Sequence, residues 1–433
     1  MQLPQHTPSV SASSTGVRVN AADVLGSAGG ARPGARSLYI HTPFCVHKCH
    51  YCDFYSFVDS RDQQEAFVDR LIEELEALSP HAVAGDGGLR TIFVGGGTPS
   101  LLRVELWERV LRTLDRVFDL AAIRGGERDE WGAAEFTVEC NPESATPELM
   151  SVLKAGGVNR VSIGAQSFHD KHLKTLERWH NPENVARAVE AARRAGIERQ
   201  SVDLIFAIPG QTLEEWDADL KRALGLGTTH LSCYNLTYEP NTAMTKRLAL
   251  GQFTPCPEEL EEEMFLHTVA TLCSAGLERY EVSNFARPGD ESRHNIAYWL
   301  QEQWLAAGPS ASGHAWAGSS MRAGSARWKN VPRLGDYLSS SGFAPVMDVE
   351  APDPARLVRE RIMMGLRLAR GLEYGPLVAD AEAAAPGSEE RLLRMAGRMA
   401  EKGYLEVRGG WWVTTDAGFL MCDWMAGEMM GAM

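Results

Sequence analysis

The sequence predicts an α/β fold built on a parallel sheet, and three observations carry that expectation. Short apolar runs alternate with amphipathic stretches six times between about residues 38 and 275, the pattern of strand-then-helix units with helices outside a parallel sheet. Polar and glycine residues recur where the apolar runs end. From residue 353 the alternation gives way to helix, helix and hairpin.

LYIH (38–41) reads as the first strand. FVDRLIEELEAL (67–78) reads as its helix, with apolar residues at 67, 68, 71, 72, 75 and 78. TIFV (91–94) with VELWERVLRTLDRV (104–117) makes the second unit, and EFTVEC (135–140) with PELMSVLKAG (147–156) the third. RVSIGAQS (160–167) pairs with PENVARAVEAARRAG (182–196), a helix closed by Gly196. SVDLIFAIPG (201–210) with LEEWDADLKRAL (213–224), and HLSCYNLTYEP (230–240) with EELEEEMFLHTVATLCSAG (258–276), complete the six. The acidic run 258–263 reads as a solvated helix face. RYEVSNFARPG (279–289) contains a strand, and RHNIAYWLQEQWLAAGPSASGHAW (293–316) follows it. ARLVRERIMMGLRLARGL and SEERLLRMAGRMAEKGYL read as helices, and EVRGGWWVTT as a hairpin around Gly409 and Gly410. That module resembles a winged helix, a shape that does not by itself imply DNA binding.

Six parallel units fit either an open doubly wound sheet or a barrel. In both, chemistry sits where strands end. The first strand runs into three cysteines and the second into Gly95-Gly96-Gly97-Thr98-Pro99. The third ends at Glu139-Cys140-Asn141-Pro142, the fourth near Gln166 and Ser167, and the fifth carries Asp203. Several polar ends in register suggest one shared pocket.

The 433 residues are 44% hydrophobic and 23% charged, an ordinary globular composition. No run of eighteen apolar residues exists, so no helix is expected to span a membrane and a cytoplasmic protein is expected. The net charge of −14 repels phosphate backbones and argues against nucleic acid as a partner. Residues 1–36 are rich in Ser, Ala, Gly and Pro with one acid, Asp23, and read as a disordered tail. It has no apolar signal region. Arg18, Arg32 and Arg36 leave organellar targeting as the weaker alternative.

Of eight cysteines, three fall within eight residues in HTPFCVHKCHYCDFYSF (41–57). This is not a secreted disulfide framework, and a tight cysteine cluster more often means metal. A structural zinc takes four ligands, commonly two separated pairs. Here Cys45, Cys49 and Cys52 share one loop, and a fourth ligand would have to come from a histidine such as His41, His47 or His50. Three thiolates alternatively hold three irons of a [4Fe–4S] cluster, leaving one iron open to a ligand that is not protein.

The C-x3-C-x2-C spacing followed by an aromatic loop resembles radical S-adenosylmethionine (SAM) proteins. The resemblance implies a partial (β/α)6 barrel, with a cluster on Cys45, Cys49 and Cys52 and SAM on its open iron. GGGTP, with Gly96, Gly97 and Thr98, is similar to the family's glycine-rich segment, where bare backbone approaches SAM. By the same resemblance Tyr39, Tyr51, Glu139, Gln166, Arg178 and Asp203 stand at SAM-contacting positions.

From about Ser37 onward, YIHTPFCVHKCHYCDFYS, GVNRVSIGAQSF, DLIFAIPGQT, RYEVSNFARPG and ERIMMGLRL resemble one branch of that family. It holds the oxygen-independent coproporphyrinogen dehydrogenases (HemN) and the haem chaperones (HemW). The dehydrogenases carry a further cysteine two places after the third, where Phe54 stands here. The chaperones carry HN-x2-YW, here His294, Asn295, Tyr298 and Trp299 around Ile296 and Ala297. Imidazole ligates haem iron, and Tyr and Trp offer flat apolar surface to a porphyrin. The resemblance therefore implies a haem chaperone with a [4Fe–4S] cluster, SAM and haem. Its implied partners are apo-haemoproteins, respiratory and membrane-associated, and a second copy in a homodimer. The expected organisation is a tail (1–36), a barrel (37–285), a connecting region with the haem motif (286–345) and a C-terminal module (346–433).

Overall fold

The structure, a computed structural model, describes residues 20–27, 34–318 and 321–433. Six strands run parallel in chain order: β1 (Ser37–Thr42), β2 (Thr91–Gly96), β3 (Glu135–Cys140), β4 (Arg160–Gln166), β5 (Arg199–Phe206) and β6 (His230–Asn235). A short helix α1 (Ala21–Ser27) precedes them. One long helix follows each: α2 (Gln64–Leu78), α3 (Val104–Val117), α4 (Pro147–Ala155), α5 (Glu183–Arg194), α6 (Leu213–Gly225) and α7 (Glu258–Ser274).

Alternation within each strand explains the arrangement. Leu38 and Ile40, Ile92 and Val94, Phe136 and Val138, Val161 and Ile163, Val202 and Leu204 all join one core. Side chains on a strand alternate between faces, so their neighbours Tyr39, Phe93, Glu135, Glu139, Ser162, Ser201 and Asp203 take the other face. The helices cover the apolar face, and the polar face lines the concave inside of a partial barrel. Trp107 of α3 and Trp216 of α6 are fully buried in the outer layer. Their indoles stay satisfied, donating to the Pro99 carbonyl (3.1 Å) and to Thr268 Oγ1 (2.8 Å).

The sheet does not close. Beyond β6 it continues with antiparallel β7 (Asn284–Ala286). On the far side, β1 pairs with parallel β8 (Trp304–Ala307), followed by antiparallel β9 (Ser312–Trp316), β10 (Ser325–Asn330) and β11 (Val346–Glu350). The sheet therefore runs across positions 285 and 345. A buried carboxylate ties this extension to α2: Glu74 accepts from Tyr337 Oη (2.6 Å), the Gly308 N–H (2.9 Å) and Asn330 Nδ2 (2.9 Å). Between β7 and β8 lies α8 (Arg293–Trp299).

Part of the stretch expected to be disordered is helical. In α1, Ala21, Val24 and Leu25 are buried, a spacing that gives even seven residues one apolar face. The rest of that expectation, 1–19 and 28–33, lies outside the described residues.

The C-terminal module comprises α9 (Pro354–Gly365), α10 (Tyr374–Ala384), α11 (Ser388–Glu401), a hairpin of β12 (Leu405–Arg408) and β13 (Trp411–Thr414), and α12 (Cys422–Gly431). The first helix stops at Gly365 rather than running to 372. The chain turns back at Gly371 (φ +86°) and lays Leu372 and Glu373 against β13. The module has its own core of Ile362, Leu377, Leu392, Trp412 and Met425. It docks near the beginnings of the barrel strands. Arg370 lies 4.7 Å from both the Trp131 and Trp411 rings, and Arg279 lies 3.8 Å from Phe419. The module thus stands away from the cysteine rim.

Candidate functional site

The cysteine loop leaves β1 at Thr42 and is held at several points. Phe44 and Cys45 pair with Phe57 and Val58. His50 donates its N–H to the Leu176 carbonyl (3.3 Å) and accepts the Met244 N–H (2.9 Å). Lys48 bonds the Phe54 carbonyl and Ser56 Oγ. His41 is buried, with Nε2 on the Tyr55 carbonyl (2.7 Å) and Nδ1 on Tyr39 Oη (3.1 Å). Burial pulls its pKa down to about 4. His41 and His50 thus pin the loop, while His47 stacks on Trp179 at 4.0 Å. Among the described residues no three His, Cys, Asp or Glu side chains are arranged around a single-ion position. A [4Fe–4S] cube makes a different demand, because each thiolate binds its own iron.

Donors converge on this loop. Thr98 directs its hydroxyl at Cys45 Sγ (3.6 Å), and Arg178 a guanidinium N–H at Cys49 Sγ (3.7 Å). Tyr51 also bonds Cys49. The Phe54 side chain, where the dehydrogenases have cysteine, turns outward and is 61% exposed.

The glycines pack against protein. Gly96 has φ +106°, and a Cβ there would lie 2.6 Å from the His41 ring. A Cβ on Gly97 would lie 2.6 Å from the Phe44 carbonyl, and one on Gly95 2.9 Å from Glu139 Oε2. Bare backbone is needed here to seat the cysteine loop and Glu139 beside β2.

Glu139 accepts the Gly96 N–H (3.1 Å). Burial, reinforced by Asp203, pushes its pKa up to about 8. Asp203 is gripped by the hydroxyls of Ser232 (2.7 Å), Ser162 (2.9 Å) and Ser201 (3.1 Å), and burial raises its pKa. Gln166 ends β4 at φ +64°, beyond a bulge between Gly164 and Gln166. Two further residues of the inner wall were not singled out from sequence. Tyr234 exposes 42% of its surface, yet the enclosing walls still raise its pKa, with Asp203 adding to the effect. Glu281 is pushed up to about 7 by burial, against its bonds to Asn284 and Ser283. The signal for this wall was the polar alternation in EFTVEC, SVDLIF and HLSCYN.

His294, Tyr298 and Trp299 lie on α8, at the opposite end of the strands from the cysteines. Glu135, the first residue of β3, accepts from the N–H groups of Arg293 and His294 (both 3.0 Å), from Ser292 Oγ (3.1 Å) and from Arg199 (3.3 Å). Burial opposes its charge, but Arg160, Arg199 and the backbone donors outweigh it and hold its pKa below the ordinary value. His294 Nδ1 bonds Thr91 Oγ1 (2.7 Å) at the start of β2. Its ring stacks on Phe93 (5.3 Å) and meets Tyr298 edge-on (4.7 Å). The residue is 1% exposed, Nε2 has no partner, and burial pulls the pKa down to about 3. Tyr298 packs 4.4 Å from Trp304, and its pKa is raised by burial and then by Glu139. Trp299 is half-buried at the end of the helix. The motif therefore forms the floor of the barrel, and the cysteines its rim.

Comparison with known proteins agrees with this architecture. Residues 39–223 match the Radical SAM superfamily. The chain is 34% identical to the heme chaperone HemW of Bacillus subtilis, over 78% of this chain and 84% of that protein. It is also 34% identical to the heme chaperone HemW of Escherichia coli, over 89% and 96%. The structure of E. coli coproporphyrinogen III oxidase (HemN), a radical SAM enzyme, superposes with a TM-score of 0.75 at 22% identity, over 95% of this chain and 93% of that one, a likeness of fold. With a radical SAM barrel and relatives this similar over most of their length, the chain belongs to the HemW family of the radical SAM superfamily.

Proposed function

We propose that this protein is a haem chaperone that holds a [4Fe–4S] cluster and SAM at the barrel rim and delivers haem to apo-haemoproteins. The carrying observation is His294, a neutral imidazole with Nε2 unpartnered, packed against Phe93 and Tyr298 with Trp304 behind Tyr298. Neutral imidazole is what haem iron takes, and the B. subtilis and E. coli relatives are named heme chaperones.

The donor set at the rim suits an iron–sulfur cluster. Three thiolates share one loop, and Thr98 and Arg178 offer hydrogen to their sulfurs. A bound cluster with SAM on its open iron supplies one-electron chemistry there. Tyr39, Tyr51, Gly96, Gly97, Thr98, Glu139, Gln166, Arg178 and Asp203 then surround SAM. Glu139, protonated to about pH 8, can donate as well as accept a hydrogen bond. At the floor, His294 ligates haem iron while Tyr298 and Trp299 bear on the porphyrin. Because His294 is enclosed, α8 has to swing away from Glu135 and Thr91 for haem to enter. The proposed acceptors are respiratory and membrane-associated, reached from the cytoplasm by the chain acting as a homodimer. Among the described residues no helix is long and apolar enough to cross a membrane.

Haemin titration of the full chain tests the reading. The wild type should bind with a shifted Soret band. His294→Phe, which keeps a ring against Phe93, should lose that band and most of the affinity. An unchanged spectrum and affinity removes His294 as the ligand. An anaerobic coproporphyrinogen assay runs beside it, and steady formation of protoporphyrinogen overturns the chaperone reading.

A further inference from the structure

The three cysteine sulfurs are not equivalent. Cys45 receives the Thr98 hydroxyl, Cys49 a cationic N–H of Arg178, and Cys52 the backbone N–H of Phe54. Each side-chain donor is fixed from behind. The Thr98 N–H is bonded to the Phe44 carbonyl at 2.7 Å. The other arm of Arg178 donates to the Gly164 carbonyl at 3.2 Å. Gly164 leaves room for this: a Cβ there would lie 2.7 Å from Gln166 Nε2 and 3.1 Å from Arg178 Nη2. The bulge at the end of β4 thus holds Arg178 over the cysteine loop.

We propose that Thr98 and Arg178 raise the reduction potential of the cluster carried by Cys45, Cys49 and Cys52, and so ease its one-electron reduction. The inference rests on the cluster reading above. A [4Fe–4S]2+ core with three thiolates carries a net charge of −1. One electron from an external donor gives the [4Fe–4S]+ core and a net charge of −2, with no bond made or broken. A donor aimed at a thiolate sulfur stabilises the more negative state more strongly, and hydrogen bonds to sulfur are among the terms that set such potentials. Arg178 brings a full charge as well as a hydrogen, and it does so in an enclosed site where charge is poorly screened. Thr98 contributes a neutral hydroxyl and the smaller share. Both are positioning residues here, because they act on the cluster through the cysteines.

The test is an EPR-monitored redox titration of the anaerobically reconstituted full chain, with iron and acid-labile sulfide counted in every sample. Arg178→Met keeps the length and removes the charge, and Thr98→Val keeps the shape and removes the hydroxyl. At a fixed solution potential the reduced fraction should fall about tenfold in Arg178→Met, which is ~59 mV for one electron. It should fall about threefold in Thr98→Val. Thr98→Ser and Arg178→Lys should restore most of it. Unchanged potentials with full iron and sulfide overturn the inference and leave the cluster reading standing. If Arg178→Met takes up no cluster, the Thr98→Val and Thr98→Ser pair decides. A wild-type chain that takes up no iron and sulfide overturns the cluster reading, and this inference with it.

Discussion

At the residue scale, the glycines at the end of β2 join two parts of the site. They were read from sequence as room for a ligand. The space a side chain would need is also required by the cysteine loop, through His41 and the Phe44 carbonyl. Gly96 cannot be replaced cheaply. At φ +106° any other residue is strained, and a methyl group 2.6 Å from His41 forces the ring away from Tyr55. Gly96→Ala is expected to cost about 2–3 kcal/mol of stability and to lower iron uptake as well. Urea denaturation and iron analysis measure the two effects. A variant of wild-type stability and iron content refutes this account of Gly96. The cysteines were legible in the sequence because their spacing is local. The Asp203 cradle was not, because Ser162, Ser201 and Ser232 come from three strands and meet only through the sheet register.

At the scale of elements, α8 is the part whose place could not be read. Seven residues carry too little periodicity to show a face, and nothing local says that the helix closes the barrel from below. What puts it there is Glu135, a buried carboxylate that meets the N–H groups of Arg293 and His294. The six parallel strands and their helices were legible to within about five residues at each end, since each repeats a strong pattern. The extension from β8 to β11 was not, because its strands are short and only β8 meets the six-stranded sheet, by pairing with β1. Glu135→Gln removes the charge that balances Arg160 and Arg199. Breaking a buried pair in this way costs about 3–5 kcal/mol. Hydrogen exchange over 293–299 should rise in this variant, with the strands less affected. If haem enters only when α8 lifts, haemin uptake should also be faster than in wild type. Equal exchange and equal uptake rates would show that Glu135 does not hold α8 down.

At the scale of the whole molecule, two sets of buried groups titrate against each other. Glu139 and Glu281 keep their protons to about pH 8 and about pH 7 when folded, but release them near 4.5 when unfolded. Between those values the folded chain binds more protons, so stability falls as pH rises from 4.5 to about 8. The histidines run the other way. His294, His41 and His314 stay neutral in the fold down to about pH 3, 4 and 4, whereas unfolded they take a proton below 6.5. Their contribution is complete above pH 6.5 and is lost as pH falls toward 3–4. The two slopes oppose each other from 4.5 to 6.5, and above 6.5 the carboxyls act without the histidines. The SAM-free protein should therefore be most stable at mildly acidic pH and lose on the order of 3 kcal/mol by pH 8. Replacing both carboxyls by amides, Glu139→Gln with Glu281→Gln, keeps a neutral group at each place and removes the proton. The double variant should lose most of the decline between pH 6.5 and 8, and below pH 6 it should fall more steeply than wild type, because the carboxyls no longer offset the histidines there. Denaturant titrations across that range measure both limbs. An alkaline limb as steep in the double variant as in wild type would place its origin in groups other than Glu139 and Glu281.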